Sequence, residues 1–436
     1  MNRIKMILVL LSCLLGDVNL SMATSFEGLS SRQAAGKYYS YPYLYEVPPK
    51  PTAAPLGYEP FHIEHYGRHG SRWHIGYKFY DQSYEILHKA HDQGQLTSLG
   101  EHAYQTIGQI REKASEGRSG ELTEIGALQH QVIARRMVEN YPQVFVADAN
   151  LNARSTTVIR AILSMQNSLD AIRSICPEIK FSTDASAADM WYLKNSDDEA
   201  EKIRKKVSST VLQKFKKKHS NKGDFLNRII KNHKYAVDSI GDRLCAPLFY
   251  ALANCQSHSN QPWLLDSIFS TDEIRELWLH GNAEWFVQCG NSKLTSNRMP
   301  YSQANLLKNI ICSVDTALVS ATPSINLRYG HDSVVLPLAV LMEFDNWGDE
   351  INDLEDLDLL GWHDYSIVPM ASNIQMVFYR RSDSGDTDDV LVKILLNERE
   401  VKLPIGNEEG PYYNWNQLRE YYTEKIAPYV QASDDK

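Results

Sequence analysis

Two short segments, far apart in the chain, combine histidine with charged side chains in a pattern that suits chemistry on an anion. The first is Arg68-His69-Gly70-Ser71-Arg72 and the second is His331-Asp332. A guanidinium group pairs with two phosphate oxygens at once, and glycine lets the backbone approach the anion. An imidazole held among arginines loses its proton readily, because nearby positive charge disfavours the charged form. The first segment therefore predicts a neutral, nucleophilic His69 at an anion site.

Each segment follows a predicted strand. Residues 61–66 alternate in polarity and stop at Gly67, which is typical of a strand that enters a turn. Residues 325–329 also favour a strand, and residues 332–342 favour a helix. Because open α/β sheets bind ligands beyond the carboxyl ends of their strands, we expect both segments at such an edge.

The remaining pattern predicts an α/β protein. Residues 144–147 favour a strand, residues 154–169 a helix, and residues 374–379 and 390–396 two further strands. Residues 170–305 favour helices, with a capping box at 270–273 ahead of a helix over 274–286. We predict a discontinuous α/β core (59–169 and 306–436), an extended lead-in (24–58) and a helical insertion over the cleft (170–305).

The first segment resembles the signature of the histidine acid phosphatase family, Arg-His-Gly-x-Arg-x-Pro. Four of the five fixed positions match, and His74 stands where the family has proline. The resemblance implies a histidine-phosphatase core like that of phosphoglycerate mutase, and hydrolysis of phosphate monoesters through a covalent phosphohistidine on His69. It also implies that no metal or other cofactor takes part.

The same resemblance assigns roles to further residues. Phosphate is bound by Arg68, Arg72, Arg154 and His331, and Asp332 protonates the leaving oxygen. Arg154 fills the place of a further family arginine on a helix after a core strand. Arg160, six residues on, is expected on another face of that helix, at the surface.

Other stretches are similar to a bacterial branch related to multiple inositol polyphosphate phosphatases and phytases. They are residues 122–126 with Gln129, residues 281–285, and residues 373–379 with 397–398. The physiological substrate stays open among inositol polyphosphates, sugar phosphates and nucleotides. Two alternatives are kept: a catalytically impaired module that only binds phosphate ligands, and a mutase-type phosphotransferase.

The charge of the chain indicates which classes of partner it attracts. With 436 residues and a formal net charge of -9, the chain has no overall attraction for nucleic acid or anionic membranes. Twelve Lys or Arg against two acids in residues 201–234 predict either a solvated helix face or a positive rim for a polyanion. Oligomeric state is not indicated.

The N-terminus predicts export. Residues 1–23 have the basic start, short apolar run and small-residue cleavage site of a signal peptide. Removal of this segment is favoured over lipid attachment at Cys13, and no other stretch has the ~18–20 apolar residues of a transmembrane helix. A periplasmic or extracellular location permits disulfides among Cys176, Cys245, Cys255, Cys289 and Cys312, but their pairing is not indicated.

Overall fold

The computed structural model describes residues 28–194, 197–220, 224–258, 261–381, 389–405 and 410–430. The predicted signal peptide and Cys13 lie outside the described residues.

One twisted sheet forms the centre of the protein. Its strands in the described residues are β1 (Tyr58–Arg68), β2 (Asn150–Ser155), β3 (Phe181–Asp184), β4 (Ser324–Gly330), β5 (Asn373–Arg381), β6 (Leu391–Leu396), β7 (Arg399–Glu400) and β8 (Tyr412–Asn414). The order across the sheet is β3-β2-β4-β1-β5-β6-β7, and β8 pairs with β6. Strands β1 to β4 are parallel, whereas β5 runs antiparallel to β1.

Helices surround this sheet. In the described residues they are α1 (Lys78–Asp92), α2 (Ser98–Ser115), α3 (Glu124–Asn140), α4 (Ile159–Ile175), α5 (Met190–Leu193), α6 (Asp198–Val207), α7 (Gln213–Lys218), α8 (Phe225–Ile229), α9 (His233–Tyr235), α10 (Cys245–Ala253), α11 (Leu265–Ile268), α12 (Thr271–Cys289), α13 (Ala304–Leu318), α14 (Asp332–Leu341), α15 (Asp364–Ile367) and α16 (Trp415–Ile426). Shorter 3-10 or π turns span Gln33–Tyr38, Pro42–Leu44, Ala187–Asp189, Ser208–Leu212, Ala236–Ile240, Gly241–Arg243, Asn254–Ser257, Lys293–Thr295, Met299–Gln303 and Leu354–Asp356. No helix among the described residues is long and apolar enough to cross a membrane.

The sheet buries side chains on both faces, as a parallel α/β sheet requires. Ile63 and Val377 join a core with α3 and α4 on one face. Met376 and Phe378 join a larger core with α14 and α16 on the other face, and this core continues into the middle helices. The predicted α/β class, with many added helices, is confirmed.

Several predicted elements are confirmed, and one strand is not. The predicted capping box is present, since Ser270 Oγ accepts from Glu273 N at 3.3 Å and Glu273 Oε2 accepts from Ser270 N at 2.6 Å. The strand predicted at residues 144–147 is wrong: those residues form a turn, and the strand is β2, six residues further on. The helix predicted over 154–169 begins only at Ile159.

Between α5 and α13, the described residues form helices joined by turns and short loops. The boundaries predicted for the insertion, 170 and 305, stay a prediction. Within the described residues no disulfide forms, because all five cysteines from Cys176 to Cys312 are free thiols.

Candidate active site

The two histidine segments meet at one edge of the sheet. Strands β1 and β4 are parallel neighbours, and Arg68 pairs in register with Gly330. Each strand ends there, so His69 and His331 leave the sheet side by side, with ring centroids 5.7 Å apart. The site therefore lies beyond the carboxyl ends of the central strands, where open α/β sheets bind ligands.

The hydrogen bonds of His69 determine its tautomer. Its Nδ1 lies 3.0 Å from the carbonyl oxygen of Gly70, and because a carbonyl only accepts, Nδ1 carries the proton. Burial, followed by the charges of Arg68 and Arg72, lowers the pKa of His69 well below its usual value. The imidazole is thus neutral, with its lone pair on Nε2.

The loop after β1 is held from several directions. Ser71 N donates to Gln129 Oε1 at 2.8 Å, and Gln129 Nε2 donates to the hydroxyl of Ser71 at 3.0 Å. Gly70 N donates to Ser164 Oγ at 3.1 Å. A Cβ atom on Gly70 would lie 2.3 Å from the carbonyl oxygen of Gly126, so the loop and α3 approach closely only because Gly70 has no side chain.

The chain after α15 holds the same loop from the other side. Arg68 N donates to Ser372 O at 2.8 Å, and Ala371 N donates to His69 O at 3.1 Å. Ala371 is fully buried and has a φ of 57°, a conformation that favours glycine. The backbone of His69 is therefore held by an alanine whose own backbone is in the left-handed conformation.

Three guanidinium groups lie near enough to the imidazole for their charges to act on it. Arg68 Nη1 donates to Val368 O at 2.7 Å, Arg72 Nη1 donates to Trp73 O at 2.9 Å, and Arg160 Nη1 lies 3.4 Å from Gly120 O. In each of the three the Nε atom is buried and has no hydrogen-bond partner among the described residues. All three charges act to lower the pKa of His69. An anion placed among them would offset this concentration of positive charge.

Asp332 is the carboxylate of the site. Its Oδ2 accepts from Arg68 Nη2 at 2.9 Å, and its Oδ1 accepts from the backbone N of Ser333 at 2.8 Å. Burial raises its pKa, but the positive charges of Arg68 and Arg72 outweigh burial and hold the pKa well below the usual range. Asp332 is thus ionised when no anion is bound.

His331 is the second imidazole. Its Nε2 lies 3.1 Å from Thr156 Oγ1, and burial lowers its pKa to about 4, against the charge of Asp332. It is the residue directly before α14, whose first residue is Asp332. The positive end of that helix adds to a field that favours an anion.

Arg154 and Arg160, which follow residues 144–147 in the sequence, lie in different environments. Arg154 lies in β2, where its Nε is 3.8 Å from Asp189 Oδ2 and its Nη1 donates to Ala153 O. The structure does not bring it to the histidine cluster. Arg160, expected at the surface, is instead half-buried in the first turn of α4 and acts on His69 and His331.

The two arginines lie elsewhere than predicted because the strand before them was predicted six residues too early. With residue 154 at the start of a helix, residue 160 would lie on another face of that helix. Because β2 ends at Ser155 and α4 starts at Ile159, Arg160 instead stands at the beginning of the helix, close to the loop that carries His69. Arg160 is therefore the site residue that the sequence reasoning missed.

Comparison with solved structures shows which proteins share this fold. The multiple inositol polyphosphate phosphatase of Bifidobacterium longum, in complex with inositol hexasulfate, matches with a TM-score of 0.74 and 18% identity over 92% of this chain and 99% of that chain. The phytase from D. castellii matches with a TM-score of 0.67 and 14% identity over 93% of this chain and 89% of that chain. Klebsiella sp ASR1 phytase matches with a TM-score of 0.51 and 12% identity over 86% of this chain and 98% of that chain.

These likenesses establish the fold. No family model and no curated protein matches the amino-acid sequence. The chain nevertheless has the architecture of histidine acid phosphatases and phytases over nearly its whole length, so the predicted resemblance is confirmed at the level of the fold.

Proposed function

We propose that this protein is a histidine-type phosphomonoesterase that forms a covalent phosphohistidine on His69. The observation that carries this proposal is the neutral imidazole of His69, with its lone pair on Nε2, together with three nearby guanidinium groups whose buried Nε atoms have no partner among the described residues. A phosphatase nucleophile must be unprotonated, and its electrophile must have its negative charge compensated. Both conditions are met by the chain's own side chains.

In the first step, Nε2 of His69 attacks phosphorus and the bond to the ester oxygen breaks. Arg68, Arg72 and Arg160 compensate the charge on the equatorial oxygens, and His331 donates to one of them. The departing alkoxide takes a proton from the carboxyl group of Asp332. In the second step, water attacks the phosphohistidine, Asp332 accepts the proton of that water, and the N–P bond breaks to regenerate His69.

Asp332 must therefore be protonated when substrate is bound, although it is ionised in the empty site. A phosphate group supplies this change, because its negative charge offsets the arginines that hold the pKa of Asp332 down. Near its second pKa, about 6, a phosphate monoester also carries a proton of its own. The proposal thus favours turnover at acidic pH.

We further propose that the substrate is an inositol polyphosphate. One solved relative in fold is named a multiple inositol polyphosphate phosphatase and is bound to inositol hexasulfate. The positive field here also exceeds the needs of one phosphate: besides the three arginines, Lys37 acts on Asp332 and Lys194 acts on His331. Within the basic stretch of residues 201–234, Lys216 and Lys218 contribute less, since they pair with Glu284 and Glu355 at 2.8 and 2.9 Å.

Phosphate release from p-nitrophenyl phosphate and from phytate, measured between pH 3 and 8, tests the proposal. The wild type should turn over at acidic pH, and His69→Ala should be inactive. Quenching in alkaline detergent should trap phosphate on His69, because the N–P bond of phosphohistidine is stable in alkali and hydrolyses in acid. Asp332→Asn should lose more activity on alkyl phosphates than on p-nitrophenyl phosphate, whose leaving group needs less protonation.

Two outcomes would support the alternatives. Stoichiometric binding of phytate without release of phosphate would identify a binding module. Transfer of phosphate to a sugar phosphate, with no free phosphate formed, would identify a phosphotransferase. Export, predicted from residues 1–23, remains a proposal that N-terminal sequencing of the mature protein would test.

A further inference from the structure

His74 occupies the position at which the family motif has proline, and its surroundings are those of a structural anchor. The side chain is buried, with 2% of its surface exposed. Its Nε2 lies 2.9 Å from the carbonyl oxygen of Tyr250 in α10, and because that oxygen only accepts, Nε2 donates. A single hydrogen bond thus joins the loop after β1 to a helix more than 170 residues further along the chain.

The ring and backbone of His74 have further partners. Its ring centroid lies 4.7 Å from that of Tyr38, 5.0 Å from that of Phe79 and 5.0 Å from that of Tyr80. Its carbonyl oxygen accepts from Gly120 N at 2.9 Å. The imidazole is neutral, since burial lowers its pKa to about 3. His74 is therefore held by contacts from the lead-in, α1, α10 and the loop before α3.

Two of these contacts lead to Arg72. The ring of Tyr38, which packs edge-on against His74, lies 5.8 Å from the guanidinium carbon of Arg72. The carbonyl oxygen that accepts from Arg72 Nη1 belongs to Trp73, the residue directly before His74. A movement of His74 would therefore displace both the ring beside this guanidinium group and the backbone to which it is bonded.

We propose that His74 is a positioning residue, which orients Arg72 for phosphate binding by fastening the loop to α10 and by holding the ring of Tyr38. Proline restricts the backbone through its fixed φ. At the same position this chain uses a side-chain hydrogen bond and three ring contacts. Consequently the middle helices, through α10, act on the phosphate-binding loop. The kinetic readout of this inference rests on the proposed phosphatase function.

Two substitutions test the hydrogen bond and the ring of His74 separately. His74→Phe keeps an aromatic ring and removes the donor, whereas His74→Gln keeps an N–H at a similar distance and removes the ring. We expect His74→Phe to lower kcat/KM for p-nitrophenyl phosphate about tenfold and to weaken binding of inorganic phosphate by a similar factor, equivalent to about 1.4 kcal/mol. His74→Gln, which restores the hydrogen bond but not the contact with Tyr38, should recover only part of this loss.

The matched control is Leu248→Ala, also in α10. Leu248 is fully buried in the core and lies outside the proposed phosphate-binding residues. This variant should lower Tm through a cavity and keep the wild-type kcat and KM at 25 °C. Loss of phosphate binding in Leu248→Ala as large as in His74→Phe would show that general destabilisation is the cause, and would overturn the inference.

Calorimetric titration with inorganic phosphate keeps this test separate from that of the proposed function. If the wild type binds phosphate but releases none from esters, the phosphatase proposal fails, and the effect of His74→Phe on binding can still be measured. Wild-type phosphate affinity in His74→Phe would overturn the inference. If His74→Phe does not fold, Tyr38→Leu serves instead: weakened phosphate binding is expected, and unchanged binding would refute the route through Tyr38.

Discussion

Arg160 and Arg154, six residues apart, offer a matched pair of substitutions with opposite expected results. Arg160 belongs to the cluster around His69, and its pKa is lowered to about 10, first by burial and then by the charge of Arg72. Arg154 lies in β2 near Asp189. We predict that Arg160→Ala impairs catalysis and that Arg154→Ala does not.

The expected loss of activity in Arg160→Ala follows from the hydrogen bond that this side chain would make to phosphate. A hydrogen bond to a charged group contributes about 1.5–3 kcal/mol, which corresponds to a loss of roughly 10- to 150-fold in kcat/KM. Arg160 repels Arg72 in the empty site, so its removal should leave the free energy of unfolding unchanged or slightly higher. The ion pair of Arg154 spans 3.8 Å and both side chains are partly exposed, so its loss should change stability by less than about 1 kcal/mol.

Steady-state kinetics on p-nitrophenyl phosphate and urea unfolding of both variants provide the assay. The expected result is a loss of kcat/KM in Arg160→Ala alone, without a loss of stability. Equal losses of kcat/KM in the two variants, or an Arg160→Ala protein with wild-type kinetics, would refute the assignment.

Four further predictions concern pH and the loop after β1. Because the pKa of His69 is lowered in the folded protein, the unfolded chain binds a proton near pH 6.5 that the native state does not, so urea unfolding between pH 7 and 5 should show His69→Ala gaining stability relative to the wild type. The lowered pKa of Asp332 has the opposite consequence: its stabilising effect is present above about pH 3.9 and is lost as pH falls further, so the wild type and Asp332→Asn should converge in stability toward pH 3. Gln129→Leu leaves the buried N–H of Ser71 without its partner, and should lower the free energy of unfolding by about 1–3 kcal/mol together with a reduced kcat; unchanged urea midpoints would contradict this. At Ala371, glycine should be tolerated to within about 1 kcal/mol, whereas valine should destabilise by about 1–2 kcal/mol or more, because a β-branched residue does not suit a φ of 57°; equal Tm values for the two variants would contradict this.

The sequence was sufficient to predict the position of both histidine segments. Residues 61–66 and 325–329 carry clear strand patterns, and the turn after each strand contains the chemically distinctive residues. Parallel pairing of β1 with β4 then brings His69 beside His331. Here local pattern and global topology agree, so the fold class and the two histidine segments followed from the residues.

The position of Arg160 was not predicted, because the hydrophobic pattern before it is misleading. Residues 144–147 are more apolar than the true strand, β2, which contains two asparagines and no β-branched residue. A strand signal was nevertheless present: Leu151, Ala153 and Ser155 alternate with three polar residues and are the buried side of β2. This alternation of buried and polar residues predicts Arg154 in the strand and Arg160 at the start of the following helix, although hydrophobicity alone favours residues 144–147.

The lead-in was equally inaccessible to pattern analysis. It has no regular period, yet Ser40 Oγ accepts from Gln129 Nε2 at 3.0 Å, and the ring of Tyr38 lies beside Arg72. These contacts join residues separated by tens of positions. Only the folded chain brings them together.

The hydrogen bonds between Arg68, His69 and residues 371–372 bear on the order in which the protein folds. They link segments about three hundred residues apart, and β4, the other neighbour of β1, is also distant in sequence. Contacts of such high contact order form slowly, because a long loop must close before they contribute any stability. The loop that carries His69 is made early in synthesis but acquires its final backbone only after β5 has docked. A partly folded chain would thus hold the proposed nucleophile, His69, without the geometry to use it, and activity should appear only after β5 has docked.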